Sequence, residues 1–478
     1  MSALKVRIPV SPAVLLTFVA ATILLYPVYL IAPDSGRMIV MACGGIMLVV
    51  IAFTSVELAL YLLILSTLLS PEIEIGNVDK AATTTVSRGI TIRLDDILLT
   101  IISLTWLFRM AASKGLGLVR RTPINQPIVW YWLATALATI VGFSAGRVGM
   151  FGFFFVLKYL EYFVLFYVII NQTHDEAVIK RYIMVMLFTC FVVSLAGIAQ
   201  IPGGERVTAV FEGRQSEPNT LGGYLVLMFA VTLGLFLNEV DKMKRWRLAG
   251  LLVLILPPLA FTQSRSSYLG FVIMIGLFIL LSRQKRFLIG FSLLALVLLP
   301  FVLPGDVINR VAFTFGQAQQ KGQIDVGGVH IDTSTSARLH TWNRVLTEDI
   351  FKHPLLGVGV TGGRFIDGQY PRVIYETGMI GMVLFLWLLR RIWVLLRVCY
   401  RELSDPGLKG MALGTLCGLG GLMIHAIGSN TFVIVRIMEP FMILVGLSLA
   451  ALLIEQQKAG DGLCRRNRHM QKLDGRIE

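Results

Sequence analysis

The residues of this chain that could do chemistry are few, and they stand at the edges of long apolar runs. Two are carboxylates, Asp367 and Glu376, in "DGQYPRVIYETGMIG". A carboxylate near arginines at the margin of a low-dielectric region can act as a general base, and it can equally be a salt-bridged structural group; the residue types leave both readings open. Arg214 in "FEGRQSEPNT" and Arg265 in "TQSRSSYLG" each lie beside an apolar run. A guanidinium in that position either snorkels to lipid headgroups or uses its planar fork to take a phosphate. Arg206 and Asn219 flank Arg214 in the same polar segment. Lys158 and Glu161, in "FVLKYLEYF", fall on one face of a helix and read first as a structural ion pair within the membrane. His425 stands with Ser429, Asn430 and Arg436 in a polar cluster for which helix packing and direct participation both remain open. The 5 cysteines are scattered, and no Cys, His or acidic group has metal-ligand spacing, so neither a metal nor a cofactor is expected.

What must position these side chains is a membrane. The chain of 478 residues is 55% hydrophobic and only 15% charged, outside the range of ordinary soluble domains. Crossing the hydrocarbon takes roughly 20 apolar residues as a helix, because each backbone amide must be satisfied inside its own segment. Runs of this kind predict an all-α, polytopic protein with about fourteen transmembrane helices. The formal charge of +14 is spread over short loops instead of one face, so it reads as an orientation signal, with attraction to anionic membrane lipids second and nucleic acid excluded. With the N-terminus inside, the basic stretches 109–121, 242–247, 283–286 and 390–409 all fall on the inner side. The expected organisation is eleven helices over 1–303, a large extracytoplasmic loop region over 304–376, three helices over 377–455 and a basic cytoplasmic tail over 456–478. Both termini are then cytoplasmic. Spans 38–54 and 56–70 are short enough to be a re-entrant pair instead.

Three outer segments, 71–93, 202–219 and 304–376, are longer than connectors require, and such loops are where binding and catalysis concentrate. In the longest, Leu339, Trp342, Leu346 and Ile350 follow helical spacing, which predicts an amphipathic helix over 336–351. "DTSTS" supplies N-cap residues ahead of it, and His353-Pro354 ends it. Glycines 357, 359, 362 and 363 then allow close backbone approach. The helix either rests on the outer leaflet or caps a cavity with Arg338 turned towards it.

With these pieces in order, the chain resembles the bacterial O-antigen ligase and O-antigen polymerase superfamily. The resemblance is carried by "SARLHTWNRVLTEDIFKHPLLGVG", with Arg338, Trp342, Pro354, Gly357 and Gly359 in the matching places. "YETGMIG", "EPNTLGGY", "SRSS" and "LKYLEYF" add to it, so that it touches most of the chain from about Asp95 onward. It implies a GT-C-like membrane glycosyltransferase at the outer face of the inner membrane, with an undecaprenyl-pyrophosphate-linked saccharide as donor and another as acceptor. The reaction would be an inverting, metal-independent displacement at the anomeric carbon. Arg214, Arg265 and Arg338 would bind the pyrophosphate, with Asp367 and Glu376 as the catalytic carboxylates. A chain-length regulator and a flippase of the same pathway are implied partners. One departure bears on the type: ligases of this family usually carry a His-Asn pair about nine residues before the glutamate of their E-x-G-x-x-G segment, whereas this chain has Asp367-Gly368. That form is similar to polymerases of O-antigen, capsule or exopolysaccharide repeats.

Polymerase is therefore the first reading, and a ligase delivering glycan to lipid A core or protein is the second. A flippase of lipid-linked oligosaccharide is the alternative of another class. It should line a central cavity with charge, whereas here the charges sit in outer loops.

Overall fold

The computed structural model describes residues 51, 55–70, 72–76, 90–112, 120–210, 217–302, 323, 325–326, 329–330 and 332–474. They are overwhelmingly helical. The helices are α1 (Val56–Leu69), α2 (Leu94–Ala112), α3 (Asn125–Ser144), α4 (Phe151–Gln172), α5 (Glu176–Gln200), α6 (Pro218–Asn238), α7 (Lys242–Phe261), α8 (Arg265–Leu281) and α9 (Lys285–Val302). After them come α10 (Thr333–Arg344), α11 (Gln369–Glu402), α12 (Pro406–Gly428) and α13 (Val435–Asp474). Two short antiparallel ladders depart from the all-helical expectation: β1 (Glu72–Gly76) with β2 (Ile90–Arg93), and β3 (Asp325–Val326) with β4 (Val329–His330).

Every apolar segment expected from residue 56 onward lies on a helix, while the expected spans 13–32 and 38–54 fall almost wholly outside the described residues. Two of the fourteen expected spans thus lie outside the described residues, and the others fall on helices of unequal length and polarity. Among the described residues 7 helices are long and apolar enough to cross a membrane: α3, α4, α5, α6, α11, α12 and α13. Length or charge sets four others apart. α1 and α8 have 14 and 17 residues, α2 opens on Asp95 and Asp96, and α7 opens on four basic residues within its first six. This is a multi-pass membrane protein. α13 continues as helix to Asp474, through most of the expected tail.

The centre of the bundle is α12, which is buried on nearly all sides and lies between α6 and α8. Small residues at four-residue spacing let backbones meet, as membrane helices require when lipid tails are as apolar as the core. A Cβ on Gly410 would stand 2.5 Å from the Gly234 carbonyl of α6, and one on Gly414 2.6 Å from the Ala230 carbonyl. On the other side, a Cβ on Gly270 of α8 would stand 2.7 Å from the Gly421 carbonyl.

Contacts between chain connections sort to two ends. At one end Asn219 meets Ser264, Arg265 meets Asp332, Ser429 meets Gln369 and Asn430 meets Ile366. At the other, Lys180 meets Asp405, Lys458 meets Glu176, Ser404 meets Glu455 and Gln284 meets Leu237. Alternating helices bring distant loops together in this way, and the residues singled out for chemistry in the long polar segments gather at the first end.

Candidate functional site

The amphipathic helix forms as its spacing predicts, with earlier and later limits. Asp332 caps it, its carboxylate accepting from the Thr335 amide at 3.4 Å. After α10 the chain continues through a π turn, Val345–Asp349, and one more helical turn to Lys352. His353 leaves helical geometry just before Pro354. The π turn carries one residue more than an α turn, and Asp349 within it forms an ion pair with Arg364.

The cap does a second job. Arg265, the first residue of α8, donates from Nη1 to Asp332 Oδ1 at 2.7 Å and to Thr335 Oγ1 at 3.0 Å. Thr335 and Arg338 are three residues apart on α10 and share a face, so the helix carries Arg338 on the side turned to Arg265. Burial alone would raise the pKa of Asp332. Hydrogen bonds from Thr335 and Arg265, with the guanidinium's charge, outweigh it and hold the carboxyl below the usual range. Arg265 is not satisfied by this: its Nε and Nη2 are buried with no hydrogen-bond partner among the described residues. Buried guanidinium donors left open are unfavourable, and an anion is the group that fills them best.

One turn along α10, Arg338 donates from Nε to Asp367 Oδ2 at 2.6 Å, and Trp342 donates from its indole to the Asp367 carbonyl at 2.8 Å. Gly368 follows with φ 104, and a Cβ there would stand 2.8 Å from the Ile427 carbonyl and 3.0 Å from the Trp342 ring. Only glycine fits that conformation in that space. Gln369 then takes the Phe432 amide at 3.0 Å, and Asn430 donates to Ile366 at 3.0 Å, which fixes the segment to the connection between α12 and α13.

Glu376 sits differently. On α11 it accepts from Arg372 Nε at 3.0 Å, and Arg372 also reaches the Tyr159 hydroxyl of α4 at 3.2 Å. The Glu376 side chain is 11% exposed and that of Asp367 33%, so Asp367 is the more accessible carboxylate of the two. Two residues after Glu376 the helix is broken at Gly378, with φ 66 and ψ −166. The loop 354–359 enters the break. The carbonyls of Tyr375 and Glu376 take the amides of Val358 and Gly359 at 2.9 Å each, while the amides of Met379 and Ile380 turn to Pro354 and Leu355 at 2.8 and 3.3 Å. Backbone groups that an unbroken helix would pair internally are thus paired with the loop.

The remaining candidates are placed as follows. Arg214 lies outside the described residues. Arg206 donates to the carbonyls of Thr262 and Gln263 at 3.0 and 3.1 Å and so steadies the turn that leads into Arg265. Asn219 accepts from Ser264, the N-cap of α8, at 2.7 Å. His425 is fully buried beside Gly223, with Nδ1 2.7 Å from Thr431 Oγ1. Lys158 does not take Glu161 as its partner, as same-face spacing predicted. It pairs with Asp96 of α2 at 2.9 Å, within a buried group that includes the Arg93–Asp95 pair at 2.6 Å. A cross-helix carboxylate competes better because it can meet the ammonium head-on, which a neighbour on the same helix cannot.

Sequence reasoning missed Arg372 and Tyr159, and it offered Asp332 only as one of several N-cap residues, without its partner Arg265. Arg372 had a signal, the i,i+4 spacing to Glu376 on one helix. The Arg265–Asp332 and Arg372–Tyr159 contacts had none, since the partners lie far apart in sequence. Together Arg265, Arg338 and Asp367 make two cations and one partly exposed carboxylate, all tied to α10, an arrangement able to bind an anionic group and take a proton beside it. No curated protein matches the chain. Residues 250–386, which contain Arg265, Asp332, Arg338, Asp367, Arg372 and Glu376, match the family model described as O-antigen ligase, and this match supports membership of the O-antigen ligase and polymerase superfamily.

Proposed function

We propose that the protein is an inverting glycosyltransferase that joins undecaprenyl-pyrophosphate-linked oligosaccharide repeat units at the outer face of the bacterial inner membrane. In this reaction an acceptor hydroxyl attacks the anomeric carbon of the donor sugar. The new C–O bond forms as the bond to the pyrophosphate oxygen breaks, the lipid pyrophosphate leaves with the electron pair, and the acceptor proton passes to a base. Arg265 and Arg338 stabilise the charge that develops on the leaving group, and no metal is required where two guanidiniums supply that field. Asp367 is the base. Arg338 holds it in place before the donor arrives and is drawn to the pyrophosphate afterwards, which frees the carboxylate for the proton. Glu376, with Arg372 and Tyr159, positions α11 beneath the site.

The observation that carries this reading is Arg265, whose Nη1 is tied to α10 while Nε and Nη2 are buried and have no partner among the described residues. The test is direct. Purified protein given an undecaprenyl-pyrophosphate-linked repeat unit should form glycosidic bonds between units, and Arg265→Ala should insert normally yet leave single units on the carrier. Absence of transfer by the wild type, with lipid translocation in vesicles, would sink the enzyme reading and favour a flippase. The ligase reading is favoured by the description of the matched family and disfavoured by Asp367-Gly368 standing where ligases carry His-Asn. Product analysis separates the two: repeat units joined to one another, or glycan on lipid A core or protein.

A further inference from the structure

At the end of the bundle opposite Arg265, a cavity of about 300 Å³ opens between the ends of α6, α8, α11 and α12. Its polar lining includes Arg283, Lys409, Ser282, Ser404, Tyr400 and Gln284, with no carboxylate. Lys409 donates to a backbone carbonyl, that of Leu403 at 3.3 Å, and lies over the Tyr400 ring at 5.7 Å. Arg283 has no ion pair among the described residues and stays exposed at the mouth.

Carboxylates stand nearby but are engaged elsewhere. Glu239 takes the amides of Val240 and Asp241, both at 3.0 Å. Glu455 takes the amides of Ser404 and Asp405, and Asp405 in turn pairs with Lys180 at 2.5 Å. Glu402 accepts from Gln456 at 3.3 Å. Two cations therefore face one cavity, and neither has a carboxylate within ion-pair distance among the described residues. The hydroxyls around them suit the same ligand: Ser282 accepts from the Gln284 amide at 3.1 Å and keeps its own proton to donate, and Ser404 offers a second hydroxyl. Orientation by basic loops needs only exposed charge, and it does not need charge and hydroxyls turned onto one concave surface. At the small end of ligand-pocket volumes, the space suits one headgroup and not an oligosaccharide.

We propose that this cavity binds a phosphate group, with Arg283 and Lys409 as its cationic contacts and Ser282 and Ser404 as hydroxyl donors. The phosphate comes either from the headgroup of an anionic phospholipid in the adjacent leaflet or from a small phosphorylated solute. The site is separate from the glycan-transfer site and does not depend on that reading.

The experiment uses full-length protein in phosphatidylcholine nanodiscs and follows the thermal unfolding midpoint. In one arm phosphatidylglycerol replaces part of the lipid; in the other inorganic phosphate is titrated. A ligand that binds the folded state raises the midpoint with its concentration. A rise in the first arm identifies a lipid headgroup and a rise in the second a free phosphate. The double variant Arg283→Gln/Lys409→Gln should need at least about tenfold more ligand for the same rise, the size expected on losing a charge-assisted hydrogen bond. Lys409→Arg should retain most of it. The control pair Lys244→Gln/Arg286→Gln, at the same end outside the cavity, should respond as the wild type does. Should the double variant fail to fold, acylation of Lys409 in the wild-type protein gives the same answer, since bound phosphate should slow it. No rise in either arm, an equal rise in the double variant, or unprotected Lys409 would overturn the proposal.

Discussion

Asp367 and Glu376, two carboxylates nine positions apart, end in different physical situations, and substitutions should separate them. Asp367 pairs with Arg338 in a half-exposed setting, where such a pair contributes about 1 kcal/mol or less. Asp367→Asn should leave the unfolding midpoint nearly unchanged while lowering glycan transfer roughly hundredfold, the scale of losing a general base. Glu376→Gln instead leaves the buried Arg372 without its counter-charge. It should cost about 3–5 kcal/mol and reduce the yield of monodisperse protein before any effect on activity can be read. A loss of activity in Glu376→Gln at full stability, with none in Asp367→Asn, would reverse the assignment of the base. Asp332 adds a pH dependence. Its folded pKa lies below its unfolded value of about 3.9, so its contribution is present above that value and fades as pH falls through the lower, folded one. The stability difference between wild type and Asp332→Asn should thus stay constant from neutral pH down to about pH 4 and shrink below it, as followed by thermal unfolding.

At the scale of elements, the broken helix α11 and the loop that enters it explain why "HPLLGVG" and "YETGMIG" belong together. Four backbone groups of the one are paired with four of the other. A side chain at Gly378 would stand 2.4 Å from the Leu355 carbonyl in a backbone conformation that L-residues rarely adopt. Gly378→Ala should therefore cost more than about 2 kcal/mol and expose the 354–359 loop to protease, with cleavage there as the measurement. A variant as stable and as resistant as the wild type would show that the loop does not depend on the break. α10 invites a milder test. Trp342→Phe keeps a ring against Gly368 and removes only the indole bond to Asp367, worth about 1 kcal/mol. It should lower transfer through a loosened Asp367 more than it lowers stability. The sequence already showed α10 as an element, because a stripe of Leu339, Trp342, Leu346 and Ile350 is a local property. It did not show the π turn, whose Asp349 finds its partner Arg364 only across the His353–Gly363 loop.

Over the whole molecule, stability and function are divided between a close-packed centre and two polar ends. The backbone contacts of α12 with α6 at Gly410 and Gly414 leave no room for a larger side chain, so Gly414→Leu should separate the helices and abolish monodisperse protein on size exclusion, whatever the state of the site. Hydropathy alone established a helical, multi-pass membrane protein, because each span must satisfy its own backbone and so leaves a contiguous apolar run. It also singled out Arg265 and Asp367, because charged residues close to such runs are few, whereas Arg338 was drawn from the amphipathic stripe and the family resemblance. Of its fourteen expected spans, 7 are matched among the described residues by helices long and apolar enough to cross, two lie outside the described residues, and the others fall on helices that are shorter, more charged or only partly described. Partnerships lay beyond it. Arg265 with Asp332, Lys158 with Asp96 and Arg372 with Tyr159 are contacts between elements far apart in the chain. An ionic pair depends on distance and direction in space, which residue order does not carry once the helices have crossed. Sequence thus determined which residues are costly to place near a membrane, and tertiary structure decided which charge answers which, because only packing sets the few ångströms over which that choice is made.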